Sequence, residues 1–372
     1  MKVVIAPDSF KGSISAYDAC EVIRCGIEKV IPDATVLCKP IADGGEGTLD
    51  ALVTEKRKIF VKVSGPLFIP VNACYGYTGD TAIIEMASAA GLTLLPECKR
   101  NAGKTTTYGV GELILHALDR GYKKIMLTVG GSATNDGGCG MLAALGATFE
   151  DREGKRFVPT GDTLENITHI DLSGLEPKLF ECELLIATDV KNSLIGKNGA
   201  TLVYAAQKGA SKSQLQNLER GMTAYAKILK ELSGKDVAAI EGCGAGGGIS
   251  APLLAFLNAR IQSGIDTVLD VIGFDNALAV ADAVITGEGK IDAQSLYGKA
   301  ISGVAVRANK ANIPVYCFVG CIGDDINKLK AMGVADIYDI ASMAYSVEDS
   351  MENAAKYLRV LAESFAQKYI YN

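Results

Sequence analysis

Short apolar runs, each too brief for a helix, alternate with amphipathic helical patterns at both ends of this 372-residue chain. That alternation commits the two ends to a sheet of parallel strands joined by crossover helices. Near the amino end the runs are residues 3–6 and 35–41, separated by a helical pattern over 15–30 and followed by a second helix from Glu46. In the first helix Ser15 stands three residues before Asp18, a capping-box-like start, and Ala16, Ala19, Cys20, Ile23 and Ile27 share one face. Near the carboxyl end the runs are 283–285, 315–319 and 337–340. Ser346 and Asp349 then open a last helix whose buried stripe is Met351, Ala354, Leu358, Leu361 and Phe365.

The middle of the chain has a different pattern. Residues 58–63 alternate, Gly65-Pro66 turns the chain, and 71–77 with 81–86 form antiparallel strands joined at Thr78-Gly79-Asp80. The expected fold is therefore α/β with two domains. A Rossmann-like parallel-sheet domain is built from residues 1–65 and 275–372, and a mixed α/β domain is inserted at 66–274. A hydrophobic content of 48% over this length is enough for two cores. Lys and Arg number 37 against 43 Asp and Glu, a net charge of −6 without any basic block, so nucleic acid is not an expected partner. No apolar run approaches membrane-spanning length and the chain enters a strand at once, so no membrane partner is expected and the location is expected to be cytoplasmic. The ten cysteines include no Cys-x-x-Cys pair, and several, such as Cys38 and Cys317, lie inside apolar runs as small reduced core residues.

In open parallel sheets ligands bind beyond the carboxyl ends of the strands, so the residues just past each apolar run are the useful test. Residues 3–6 lead to Asp8, Ser9, Lys11 and Gly12, and 36–41 lead to Asp43, Gly44, Gly45, Glu46 and Gly47. Residues 184–187 lead to Thr188, Asp189 and Asn192, and 283–285 lead to Thr286, Gly287, Glu288, Gly289, Lys290 and Asp292. The run 125–129 empties into residues 130–140, Gly-Gly-Ser-Ala-Thr-Asn-Asp-Gly-Gly-Cys-Gly, ahead of a helical pattern from Met141. Amides without Cβ atoms can approach a phosphate oxygen closely, and a helix at that point adds its positive end. Singly, each feature has an ordinary explanation: an Asp caps a helix, a lysine is solvated, a glycine makes a turn. Jointly, acids for Mg²⁺, lysines for phosphate charge and glycine amides to hold it point to phosphoryl transfer.

Other constellations carry less. His116 sits in a helical pattern and His169 near a polar turn, so both are read as structural or surface residues, and neither a Gly-x-Ser-x-Gly elbow nor a His-Glu-x-x-His helix is present. The second glycine-rich stretch, 241–248, suits either a nucleotide contact or a packing loop. Arg100-Asn101 and Thr105-Thr106-Thr107-Tyr108 suit either a small carboxylate, held by charge and hydroxyls, or a helix cap.

Six motifs in order then resemble one family. They are Ala6-Pro-Asp-Ser-Phe-Lys-Gly12, Ala42-Asp-Gly-Gly-Glu-Gly-Thr48, Thr105-Thr-Thr-Tyr-Gly109, Gly130-Gly-Ser-Ala-Thr-Asn-Asp-Gly-Gly138, Gln207-Lys-Gly-Ala210 and Ile285-Thr-Gly-Glu-Gly289 with Gln294-Ser295. The chain resembles the type 1 glycerate kinases. The resemblance implies ATP- and Mg²⁺-dependent phosphorylation of a hydroxyl of D-glycerate, leaning to 2-phosphoglycerate, by two α/β domains with the active site in the cleft between them. Ala102, Ser193 and Ala206 stand where the family pattern has proline, which removes backbone rigidity and leaves the acids and glycines intact. Asp189 or Asp8 is expected to accept the hydroxyl proton, Asp43 and Asp292 to hold Mg²⁺, and Lys11 and Lys290 to neutralise phosphate. Gly130, Gly131, Ser132, Thr134, Asn135, Gly137 and Gly138 are expected to cradle ATP with Gly287 and Glu288, and Ser9, Arg100, Thr106 and Thr107 to hold glycerate. A homodimer is an open expectation. Two rivals remain: an NAD-dependent hydroxy acid dehydrogenase, disfavoured because the first strand leads into Asp-Ser-Phe-Lys-Gly and not Gly-x-Gly-x-x-Gly, and a non-catalytic acid or nucleotide sensor, disfavoured by the clustered carboxylates.

Overall fold

A computed structural model describes residues 1–10, 12–45, 47–291, 300–323 and 326–371. The chain divides into two units, Met1–Leu52 with Ser263–Asn372, and Val53–Gln262. Both divisions come earlier than the expected 65/66 and 274/275. Gly65-Pro66 lies inside a hairpin of the second unit, since Lys58–Ser64 pairs antiparallel with Pro70–Thr78. The Gly264–Val271 helix is held to the first unit by Arg307, which bonds Asp266 and Asp270.

The first unit is built on five parallel strands in the order Val334–Asp339, Val315–Ile322, Ala283–Ile291, Lys2–Pro7 and Thr35–Cys38. Val3 and Ile5 of the first strand are buried with Ile23 and Ile27 of the helix Ala16–Val30. That helix begins as expected, with Ser15 Oγ accepting from Asp18 N at 3.1 Å. Pro40 offers no N–H, and the strand expected over 35–41 ends at Cys38. The helix expected from Glu46, a residue outside those described, is the short Thr48–Leu52.

Two expectations fail in instructive ways. The run 283–285 continues as a strand to Ile291, because the Val315–Ile322 strand offers a partner along its length. The last helix is broken at Asn353 into Val347–Glu352 and Ala354–Tyr371. Asp349 there accepts from Tyr345 N, Asn353 Nδ2 and Tyr357 Oη, tying the break together. Met351, expected in the buried stripe, is 42% exposed, whereas Ala354, Leu358, Leu361 and Phe365 are buried.

The second unit holds a six-stranded sheet in the order Ala259–Gln262, Glu183–Ala187, Lys124–Thr128, Thr81–Glu85, Pro70–Thr78 and Lys58–Ser64. The first four pair in parallel and Pro70–Thr78 pairs antiparallel with both of its neighbours, which is the mixed pattern the change in periodicity announced. A separate three-stranded sheet is formed by Thr148–Glu150, Arg156–Phe157 and His169–Asp171. None of the ten cysteines is in a disulfide. Among the described residues no helix is long and apolar enough to cross a membrane.

Phe365 anchors the first unit, with the rings of Tyr316, Phe318, Tyr338 and Tyr369 around it at centroid separations of 4.7 to 6.4 Å. Phe365→Ala should cost about 3–5 kcal/mol of unfolding free energy in urea, as a buried aromatic leaving a cavity does. A loss under about 1 kcal/mol would show that this cluster does not support the unit.

Candidate functional site

The strand ends of the first unit gather charge for a backbone reason. A Cβ at Gly287 would lie 1.9 Å from the Phe318 carbonyl oxygen, so only glycine permits that close pairing. Register with the first strand ends at Pro7 opposite Gly287, while pairing with Val315–Ile322 continues to Ile291. Glu288 and Lys290 are thereby carried past the end of the first strand, beside Asp8, whose N–H donates to the Gly287 carbonyl at 2.8 Å. Thr286 to Lys290, expected as a loop at a strand exit, are strand residues.

These groups line a cavity of about 640 Å³ within the first unit. Asp8, Ser9, Asp43, Glu288 and Lys290 form its polar part, and Phe10, Ile340, Ala341, Ala344, Tyr345 and Met351 an apolar wall. Asp8 is buried and its Oδ1 accepts from Ser9 N at 2.6 Å. Asp43 is half-buried, with Oδ1 accepting from Gly45 N at 3.0 Å. Both carboxylates are thus oriented by the turn just past their own strand. Lys11 and Asp292, two of the expected site residues, lie outside the described residues. Among the described residues no three His, Cys, Asp or Glu side chains form a group able to hold a metal ion.

In the second unit the glycine-rich loop is mostly interior. Gly130 and Gly131 reach the surface, whereas residues 132–140 are buried. At its centre Asp136, fully buried, accepts from Thr107 N at 2.7 Å, Thr107 Oγ1 at 2.9 Å, Gly138 N at 3.1 Å and Gly140 N at 3.2 Å. Burial pushes its carboxyl above the usual range, against the pull of these donors. Gly137 and Gly138 have φ of 60° and 77°, and a Cβ on either would strike Tyr225 or Pro252, so packing accounts for both glycines. The stretch 241–248 resolves as a packing loop: Gly247 O accepts from Gly137 N at 3.0 Å.

Thr106 and Thr107, expected at the glycerate, are enclosed. Thr107 Oγ1 donates to Asp136 and accepts from Met141 N, and Thr106 Oγ1 accepts from Tyr108 N. Their hydroxyls build the fold around Asp136. Asn135 donates from Nδ2 to Thr201 Oγ1 at 3.2 Å, and its Oδ1 has no hydrogen-bond partner among the described residues. Ser132 Oγ and the Thr134 carbonyl accept from Lys208 Nζ at 2.7 and 2.8 Å. Burial takes the Lys208 ammonium down to about 7, partly offset by the Asp136 charge. Lys208 is the functional candidate that sequence reasoning passed over. It stood inside the Gln207-Lys-Gly-Ala210 motif, but nothing in its local sequence marks a lysine as interior.

Asp189 lies just beyond the Glu183–Ala187 strand and is exposed. The turn before it is held by Thr188 N donating to Gln262 O and Val190 N to Thr188 Oγ1. Arg100 is half-buried, and its Nε lacks a hydrogen-bond partner among the described residues. His116 faces Tyr75 Oη at 3.0 Å through Nδ1, the structural role expected of it.

A family model described as the glycerate kinase family matches residues 3–370. The glycerate kinase of Bacillus subtilis (strain 168) is 44% identical over 370 residues, covering 98% of this chain and 97% of the relative. The glycerate 2-kinase of Escherichia coli (strain K12) is 41% identical over 358 residues, covering 95% and 94%. A crystal structure of a protein assigned as glycerate kinase 2 from Salmonella typhimurium LT2 superimposes with a TM-score of 0.90 at 42% identity, covering 100% of this chain and 98% of that one.

Thr107→Val keeps the shape of the side chain and deletes the hydroxyl shared by Asp136 and Met141 N. It should lower the unfolding free energy in urea by about 1–3 kcal/mol, since the buried carboxylate loses a donor and the amide an acceptor. Unchanged stability would mean that Asp136 does not organise this loop.

Proposed function

The chain belongs to the glycerate kinase family, and on that premise we propose that it transfers the γ-phosphate of ATP to the 2-hydroxyl of D-glycerate with Mg²⁺, giving 2-phosphoglycerate and ADP. The observation that carries this reading is the meeting of Asp8, Asp43, Glu288 and Lys290 with an apolar wall at one cavity, in a chain similar to glycerate kinases over nearly its full length. The 2-hydroxyl is favoured by the relative named a glycerate 2-kinase. Ten cysteines outside any disulfide favour a cytoplasmic enzyme.

The residues fit the groups the reaction needs. A cavity of about 640 Å³ is within the usual range for a nucleotide-sized ligand, the apolar wall suits a planar base, and the carboxylates suit a hydrated cation. Mg²⁺, when bound, supplies charge neutralisation at the phosphate oxygens. Asp43 would hold it, and Asp292 is proposed as its companion. With few protein oxygens at hand, this cation would keep several waters. Lys290 would lie against the phosphates, where a fixed cation favours the charge distribution of the transition state, and Lys11 is proposed as its companion. The amides of Gly130 and Gly131 are the part of the loop open to a phosphate. Asp189 or Asp8 would take the proton from the attacking hydroxyl oxygen, Ser9 would position the acceptor, and Arg100 would face its carboxylate in place of Thr106 and Thr107.

Phosphorus NMR of the protein with MgATP and D-glycerate tests the proposal. A new phosphomonoester signal should grow with ADP and split into a doublet from the single proton at C2. A triplet from a methylene would assign the 3-hydroxyl, and no transfer over hours would exclude glycerate as acceptor. Asp189→Asn should lower kcat by about a hundredfold or more with nucleotide affinity little changed, the scale of lost general-base catalysis. Near-normal turnover would assign the proton to Asp8.

A further inference from the structure

Among the described residues Lys208 is the only buried lysine or arginine, at 3% exposure. Buried lysines ordinarily stand against a carboxylate. Lys208 does not: its Nζ donates to Ser132 Oγ and the Thr134 carbonyl, and it forms no ion pair with a described residue. An ammonium has three N–H donors, so one remains beyond these two bonds. Arg100 borders the same segment. A Cβ on Gly209 would lie 2.2 Å from Arg100 O and 2.9 Å from Arg100 Cβ, so Arg100 is packed against the residue after Lys208. Arg100 also lacks an ion pair among the described residues, and its buried Nε has no hydrogen-bond partner there.

We infer that the turn Gly130-Gly131-Ser132, whose two glycines reach the surface, is a subsite for an oxyanion, a carboxylate or a phosphate, with Lys208 and Arg100 as its cations. A buried ammonium with a donor left unused is costly, and an oxyanion at the turn relieves that cost. The charged group acting on Lys208 is Asp136 on the loop, which favours the ammonium without forming an ion pair with it. The fold compensates the ammonium so poorly that burial brings it to about 7. An anion at the turn stabilises the charged form and raises that value. Binding therefore takes up a proton wherever the free protein has lost it, and affinity is highest at low pH and falls as pH rises past 7. The choice of anions to try, glycerate and ATP, rests on the proposed kinase reaction.

Titration calorimetry in two buffers of different ionisation enthalpy, with D-glycerate, ATP and inorganic phosphate as separate probes, tests this. Wild-type protein should take up about half a proton at pH 7 and close to one at pH 8, and its affinity should fall about fivefold between those pH values. Uptake with glycerate alone identifies a carboxylate subsite, and uptake with ATP or phosphate but not glycerate identifies a phosphate subsite. Lys208→Arg, which keeps the charge and cannot lose it near neutral pH, should bind without proton uptake. Arg100→Gln should weaken binding about tenfold with uptake intact, on the scale of one charge-assisted hydrogen bond. No uptake with any probe, in a preparation that phosphorylates glycerate, would overturn the subsite and leave the kinase reading standing. Uptake in a preparation without kinase activity would do the reverse.

Discussion

The close pairing of Gly287 with the Phe318 carbonyl is the constraint on which the charged half of the first unit's cavity depends. It lets two strands run on past the end of the first strand, and the step it creates sets Glu288 and Lys290 beside Asp8. Any side chain at 287 would strike the neighbouring backbone at 1.9 Å and part the strands. The charged half of the cavity is therefore built by sheet register, and its apolar half by the segment after the outer strand. Sites on rigid strands hold their groups more closely than sites on loops, which is what phosphoryl transfer asks of its charges.

In the second unit a buried carboxylate does the corresponding work. Asp136 draws in the amides and hydroxyl of three separate positions, and Lys208 draws in Ser132 and Thr134, so the glycine-rich loop has one shape before any ligand arrives. Isolated, a buried charge of either sign is costly; here the acid is surrounded by donors, and the lysine is left with one donor to spare. The loop's inner residues serve packing, and its exposed tip, Gly130 and Gly131, is the part available to a ligand.

Much of the fold was legible in the sequence because it is written in local periodicity. The Ser15 cap, the buried face of Ala16–Val30 and the turn at Gly79 all appear where their patterns put them. What failed was set by partners distant in sequence. The strand 283–291 outruns its apolar core because the Val315–Ile322 strand pairs with it, and no pattern within 286–290 reports that. The first division of the chain was misplaced because Gly65-Pro66 marks a turn equally well inside a domain or between two. The site was legible in part for the same reason. Asp8, Asp43, Glu288 and Lys290, picked by looking beyond strand ends, a rule tied to topology, line one cavity. Thr106, Thr107, Gly137 and Gly138 were assigned to ligands because small polar and glycine residues suit phosphate, yet the same residues suit the close packing around Asp136 and Tyr225 that they make. Lys208 was missed because burial of a charged residue is a tertiary fact.

The proposed phosphoryl transfer requires the carboxylates and lysine at the first unit's cavity to hold a magnesium nucleotide. Calorimetric titration of ADP with and without Mg²⁺, into the wild-type protein and into Asp43→Asn, measures this directly. Mg²⁺ should tighten ADP about tenfold or more in the wild type and add little in the variant. An equal gain from Mg²⁺ in both proteins would contradict it, and would move the cation away from the strand ends of this unit.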